Sequence, residues 1–148
     1  MKVVPDTNIL ISGIARRGGT PWRIVDGWLQ GKFDLVVSDP LIEELERVLR
    51  YPKVRELLLK ALVSDVEVQE FLDILRMKTL GADVSDVQLP IVPSDPKDSH
   101  VLKALVASGA DYLVTGDRKD LLSLGMPQIV TAAEFVSRLT AFEKLGSG

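Results

Sequence analysis

Apolar residues fall along this chain in two rhythms. Short runs such as Val3-Val4, Leu35-Val36-Val37, Tyr112-Leu113-Val114 and Ile129-Val130 read as buried strands. Between them, apolar positions recur every three or four residues, the mark of helices buried along one stripe. A strand at 2–5 is followed by a helix over about 8–16, broken by Arg17-Gly18-Gly19-Thr20. Pro21 opens a second helix carrying Trp22, Ile24, Val25, Trp28 and Leu29. After the strand at 35–37, Ser38-Asp39-Pro40 is a cap-and-start signal for a helix to residue 50. Further helices are expected over 52–62 and 64–77, with one short strand somewhere in 79–92. Ser94-Asp95-Pro96 starts a helix that runs to Ser108 and stops at Gly109. A strand at 112–114, a short helix over 119–124, a strand at 128–130 and a closing helix, capped by Thr131 and running through Leu139, complete the series.

Strands alternating with helical segments predict an α/β fold, a mostly parallel sheet of about four to five strands with helices on both faces. In such sheets ligands collect at the carboxyl ends of the strands. No repeat, low-complexity tract or linker divides the 148 residues. One domain over 1–145 is expected, with 146–148 a flexible tail.

Composition narrows the chemistry. There is no cysteine, so disulfides, thiolate metal sites and cysteine nucleophiles are excluded. The single histidine, His100, excludes histidine-cluster zinc sites. Oxygen donors are what remain for a metal, which favours Mg²⁺ or Mn²⁺. No apolar run approaches the ~20 residues that cross a bilayer, and no opening segment has the make-up of a signal peptide. A cytoplasmic protein with no membrane association is the expectation. The net charge of −3 offers no overall basic footprint for nucleic acid.

The carboxylates are the informative residues. Asp6 directly follows the first strand, and Asp117 closely follows the strand at 112–114. If those strands are parallel, both acids lie at one sheet edge. The competing reading is that Asp6, Thr7 or Asn8 merely caps a helix. Asp98 falls near the middle of the stripe defined by Val101, Leu102 and Leu105, where a carboxylate is costly unless paired. A capping box with Asp95 at its head is the structural alternative. His100 falls on the opposite face of that helix and reads as a solvated surface residue. On the helix after Pro40 the buried stripe is Leu41, Ile42, Leu45, Val48 and Leu49; Glu43 lies opposite it, and Glu44 and Glu46 flank it on either side. Periodicity does not choose between those two. Carboxylates ~4 Å apart repel by about 4 kcal/mol at an effective dielectric near 20. Four of them at one edge require a cation or steeply raised pKa values.

Four segments in order resemble the PIN domain, a metal-dependent nuclease fold shared by many prokaryotic toxin–antitoxin ribonucleases. They are Val4-Pro5-Asp6-Thr7-Asn8-Ile9-Leu10, Val37-Ser38 with Leu41-Ile42-Glu43-Glu44-Leu45, Asp95-Pro96-Lys97-Asp98, and Leu113-Val114-Thr115-Gly116-Asp117-Arg118-Lys119-Asp120-Leu121. The likeness covers nearly the whole chain and is nearest to the VapC-type toxin branch. It implies a three-layer sandwich and a site of Asp6, Glu44, Asp98 and Asp117 holding Mg²⁺, with Mn²⁺ able to substitute. It also implies Asp120 as an outer acid, and Thr7, Asn8, Ser38 and Thr115 as polar neighbours that hold ligands or water in place. The implied reaction is hydrolysis of an RNA phosphodiester by metal-activated water, with a 3′-hydroxyl leaving and a 5′-phosphate on the product. The implied partners are RNA, an antitoxin protein and a second copy of the chain. Arg16, Arg17, Lys97, Arg118 and Lys119 stand near predicted strand ends or helix starts and could contact phosphates.

Two rivals follow from the same residues. A PIN-like module that binds RNA or protein without cutting has no use for mutually repelling acids. A phosphatase of the haloacid-dehalogenase type needs a second Asp two residues after the first, where this chain has Asn8; a receiver domain needs adjacent acids after its first strand and a late lysine. Walker-type and glycine-rich dinucleotide fingerprints are absent.

Overall fold

The computed structural model describes residues 1–89, 93, 98–116 and 121–146. Its strands are β1 (Lys2–Pro5), β2 (Asp34–Val37), β3 (Leu80–Gly81), β4 (Tyr112–Val114) and β5 (Ile129–Val130). They form one sheet in the order β3-β2-β1-β4-β5, and every pairing is parallel. Around it lie α1 (Thr7–Ala15), α2 (Thr20–Leu29), α3 (Asp39–Leu49), α4 (Pro52–Lys60), α5 (Asp65–Lys78), α6 (Ser99–Ser108) and α7 (Ala132–Gly146). The predicted α/β architecture is therefore the observed one, with five strands.

The strands read as unbroken apolar runs because both faces of the sheet are covered. Val3, Val4, Leu113 and Val114 have no exposed surface. From β1 the chain steps outward to β2 and β3, then returns past β1 to β4 and β5. Helix α6 packs on β1, β2 and β4, α1 packs on α2 and α3, and α7 returns to pack on α2. The direction of travel reverses between β1 and β4. That reversal is where parallel sheets open a crevice at their carboxyl ends.

Packing fixes the frame that surrounds this crevice. Phe135 of α7 meets Phe33 and Tyr112 edge to face, with ring centroids 5.1 and 5.8 Å away. Trp28 is buried and meets Phe71 at 6.4 Å. Gly13 lets α1 approach α2 closely, since a Cβ there would lie 2.5 Å from Val25 Cγ2. Ser38 and Ser64 cap α3 and α5 through Leu41 and Glu67 N–H groups, as their positions before helical patterns predict.

Three boundaries differ from the sequence expectation. The closing helix does not end at Leu139 but runs to Gly146, which belongs to the helix rather than to a tail. Leu139 is the last buried residue, so the apolar stripe gives no signal beyond it. The helix continues because Thr140–Lys144 contains no breaker, and Lys32 pairs with Glu143 at 3.3 Å. Helix α4 ends at Lys60, before Leu62, which adopts a left-handed backbone (φ 59°). At 119–124 the described part is a 3-10 turn, Leu122–Leu124, closed by Gly125. The proposed start of α6 at 94–97 and the residues 117–120 lie outside the described residues.

Candidate active site

The strand ends set the site. Beyond β1, the Asp6 N–H donates to Val114 O at 2.9 Å; beyond β4, the Thr115 N–H donates to Val130 O at 3.0 Å. The parallel ladders thus extend one residue past each strand and place Asp6 beside Thr115 at the reversal point. Asp6 is also the N-cap of α1: its Oδ1 accepts from the Thr7 N–H at 2.7 Å. Its Oδ2 accepts from Thr115 Oγ1 at 2.9 Å. The cap expected at this position is therefore present on one oxygen, and the other is held by Thr115 of the neighbouring strand.

Thr7 carries the network across to α3. Its Oγ1 donates to Glu44 Oε2 at 3.0 Å, and the same oxygen receives His100 Nε2 from α6. Glu46 points away and pairs with Arg76 of α5, and Glu43 is exposed. Of the two acids that flank the buried stripe, Glu44 is the one whose carboxylate meets Thr7 and His100.

His100 corrects the expectation of a solvated surface residue. Its side chain is only 16% exposed. The wheel located one buried stripe, but α6 packs on β1, β2 and β4 and also on α3, so a second face of its first turn is covered. Its Nδ1 is buried without a hydrogen-bond partner among the described residues. The signal available in the sequence was its place two residues after Asp98, at the start of a helix that enters the site.

Asp98 is the N-cap residue of α6, half-buried, and its side chain makes no capping hydrogen bond. The capping box headed by Asp95 falls outside the described residues, as do Asp117, Asp120, Lys97, Arg118 and Lys119. Asp117 follows Thr115 by two residues along a chain that leaves β4 at this edge. Ser38 is buried and accepts from the Leu41 N–H at 3.3 Å, which makes it a helix cap beside the site. Asn8 is exposed and lines a cavity with Thr115 and Gly116.

Burial controls the electrostatics. Asp6 is 9% exposed. Desolvation pushes its carboxyl pKa up, the Thr115 and Thr7 hydrogen bonds pull it back, the Glu44 charge raises it further and His100 lowers it. The net direction is upward, so ionised Asp6 is held at a cost. Among the described residues no three acidic or imidazole side chains already stand close enough to hold an ion. The donor chemistry nevertheless fits a hard divalent cation: buried carboxylate oxygens, mutually destabilising, with no thiolate.

Comparison with known proteins agrees with this geometry. A chain from the VapBC2 crystal structure of Rickettsia felis, bound to a DNA fragment from its promoter, superposes with a TM-score of 0.54 over 88% of this chain and 97% of its own, at 16% identity. At that identity the likeness establishes the fold. No curated protein sequence matches closely enough to count as a relative. No helix among the described residues is long and apolar enough to cross a membrane. A model of the PIN domain matches residues 2–119, which takes in β1 through β4 and every candidate site acid except Asp120, and the chain belongs to the PIN domain family.

Proposed function

We propose that this protein is a metal-dependent endoribonuclease, the toxin of a toxin–antitoxin pair acting in the cytoplasm. The observation that carries the reading is the buried Asp6 carboxylate at the sheet reversal, tied to Thr115 and, through Thr7, to Glu44. A binding module gains nothing from keeping such acids side by side.

Asp6, Glu44, Asp98 and Asp117 are the residues assigned to hold one or two Mg²⁺ or Mn²⁺ ions, with Asp120 as an outer acid. Such an ion neutralises charge on phosphate oxygens and acidifies water. Thr115 and the Thr7 N–H fix the two oxygens of Asp6, which leaves the carboxylate one orientation. Thr7 and His100 both hold one oxygen of Glu44, Oε2. Asp98 is assigned the proton of the attacking water, with in-line displacement of the 3′-oxygen leaving a 5′-phosphate. The Rickettsia felis neighbour is a VapBC2 assembly on promoter DNA, and on that likeness we assign this chain a protein antitoxin. A homodimer is assigned on the family pattern.

The test is cleavage of single-stranded RNA by purified protein with Mn²⁺, with EDTA, and with Asp6→Asn. Cleavage in Mn²⁺ alone, lost in EDTA and in the variant, is expected. Cleavage that persists in EDTA, or in Asp6→Asn, contradicts the reading. Tight metal-independent RNA binding without cleavage would establish the non-catalytic module instead.

A further inference from the structure

The polar side chains near the carboxyl edge of the sheet fall into two sets. Asp6, Thr7, Ser38 and Thr115 are all held by hydrogen bonds within the protein. Asn8, Ser12 and Thr20 are not: their side chains form no hydrogen bond with a described residue. Asn8 and Ser12 stand one turn apart on the same face of α1, and Thr20 opens α2. All three line a single cavity of about 310 Å³.

Position and chemistry limit what this cavity takes. Thr115 forms part of its wall and donates to Asp6 Oδ2 at 2.9 Å, so the cavity adjoins the acid site directly. No charged side chain is found among its described lining residues, which leaves nothing there to neutralise a phosphate or a carboxylate. Ile9, Pro21 and Ala132 give it apolar walls. Apolar walls with a few uncommitted hydrogen-bonding groups suit a neutral ligand, and a volume at the small end for such pockets suits one compact ring system. A nucleobase is that kind of group, apolar on its faces and polar along its edge. Single-stranded RNA is read through such bases, unstacked and hydrogen-bonded along their edges.

We infer that the cavity receives one unstacked base of the RNA, adenine by preference, next to the bond that is cut. The inference rests on the ribonuclease reading. The Asn8 amide presents a donor beside an acceptor, which matches the N6 donor and N7 acceptor of adenine. Guanine presents two acceptors on that edge, which call for Arg or Lys, and no described lining residue is either. A pyrimidine has one ring and leaves more of the cavity unfilled. The Ser12 and Thr20 hydroxyls, able to donate or accept, take the remaining polar positions of the base. The pocket therefore chooses where the strand is cut, and the acids do the cutting.

The experiment uses fluorescein-labelled 12-nucleotide RNAs made of uridine except at one central position, which carries A, G, C or U. Cleavage beside that position in Mn²⁺ is measured as kcat/KM for wild type, Asn8→Ala, Ser12→Ala/Thr20→Val and Ala133→Phe. The last of these places a ring in the cavity from an exposed position of α7. Wild type should favour A over G by about ten-fold or more, the discrimination of one bidentate contact, with C and U between. The A-to-G ratio should fall to near one in Asn8→Ala and Ala133→Phe, and several-fold in the hydroxyl pair. Loss of metal or of fold lowers all four rates together and leaves that ratio in place. Thermal melts verify folding; if Asn8→Ala does not fold or does not cut, the ratios of the other two variants decide. Binding of the four strands to Asp6→Asn in EDTA, read by fluorescence anisotropy, should follow the same order. Equal kcat/KM or equal binding for the four RNAs, preference for another base, or a ratio unchanged in every variant overturns the pocket and leaves the ribonuclease reading standing. Absence of Mn²⁺-dependent cleavage in wild type overturns both.

Discussion

At the carboxyl edge of the sheet, Asp6, Thr7, Ser38 and Thr115 are polar residues buried where apolar ones would pack more stably. On α4, α5 and the turn between them, Leu59, Leu62, Val66 and Met77 stand in solvent, Leu62 with 88% of its surface exposed. The two regions depart from the apolar-inside rule in opposite directions. At the edge every departure is compensated: each buried polar group named there takes part in a hydrogen bond. On α4–α5 nothing among the described residues covers these side chains. A polar cluster so completely ordered spends stability on geometry, and such places are where function sits.

The largest effect that this contrast predicts is at Asp6. Asp6→Asn should lower the rate of RNA cleavage by about 10²–10³-fold, the scale of losing one preorganised electrostatic contact in a site of this kind. The same variant should melt at a higher temperature than wild type in EDTA at neutral pH, because a charge held in a desolvated position is removed. A variant that melts lower would show that ionised Asp6 supports the fold rather than the chemistry.

The next effect belongs to the residues that hold the acids. Thr7→Val and His100→Leu each remove a partner of Glu44 and should weaken Mn²⁺ binding by about 10–100-fold, the usual cost of losing a partner of a metal ligand. Calorimetry is the readout, with melting curves to separate loss of affinity from loss of fold. Unchanged affinity in both would remove Glu44 from the metal-holding set.

A third prediction concerns pH. Burial raises the Asp6 pKa, so the folded state keeps this proton when the unfolded chain has already released it. The contribution of Asp6 to stability is therefore fully present below the ordinary carboxylate range and is lost as pH rises through its raised value. Wild type in EDTA should lose stability over that window relative to Asp6→Asn, and Mn²⁺ should reverse the difference. Denaturant melts of both proteins from pH 3.5 to 7 are the measurement; parallel curves would refute the assignment. The smallest effect is on the other region. Leu59→Lys and Met77→Lys should leave cleavage unaltered and stability within about 0.5 kcal/mol, as for exposed positions away from structural features.

Much of this was legible in the sequence because strand ends and caps are written in residue types. Asp6, Thr7 and Thr115 follow apolar runs, and parallel pairing alone brings them together. Helix periodicity could state that Glu44 and Glu46 flank a buried stripe, but not which flank meets a neighbour. That depends on where α5 supplies Arg76 and α6 supplies His100. His100 itself was hidden for the same reason: a wheel accounts for one packing partner, and α6 has two. Strand β3 is only Leu80–Gly81, within the expected 79–92 but too short for alternation to place it more closely. The extension of α7 past Leu139 was invisible because its last turns are held by helix propensity and an exposed ion pair rather than by burial.

The central claim is that the acids gathered at the reversal of the sheet form a seat for a divalent ion. Isothermal titration of Mn²⁺ into wild type and Asp6→Asn, both shown to be folded by their melting curves, tests it most directly. The account predicts saturable binding of one or two ions by wild type and at least ten-fold weaker binding by the variant. Equal binding by the two proteins, or none by wild type, would contradict it.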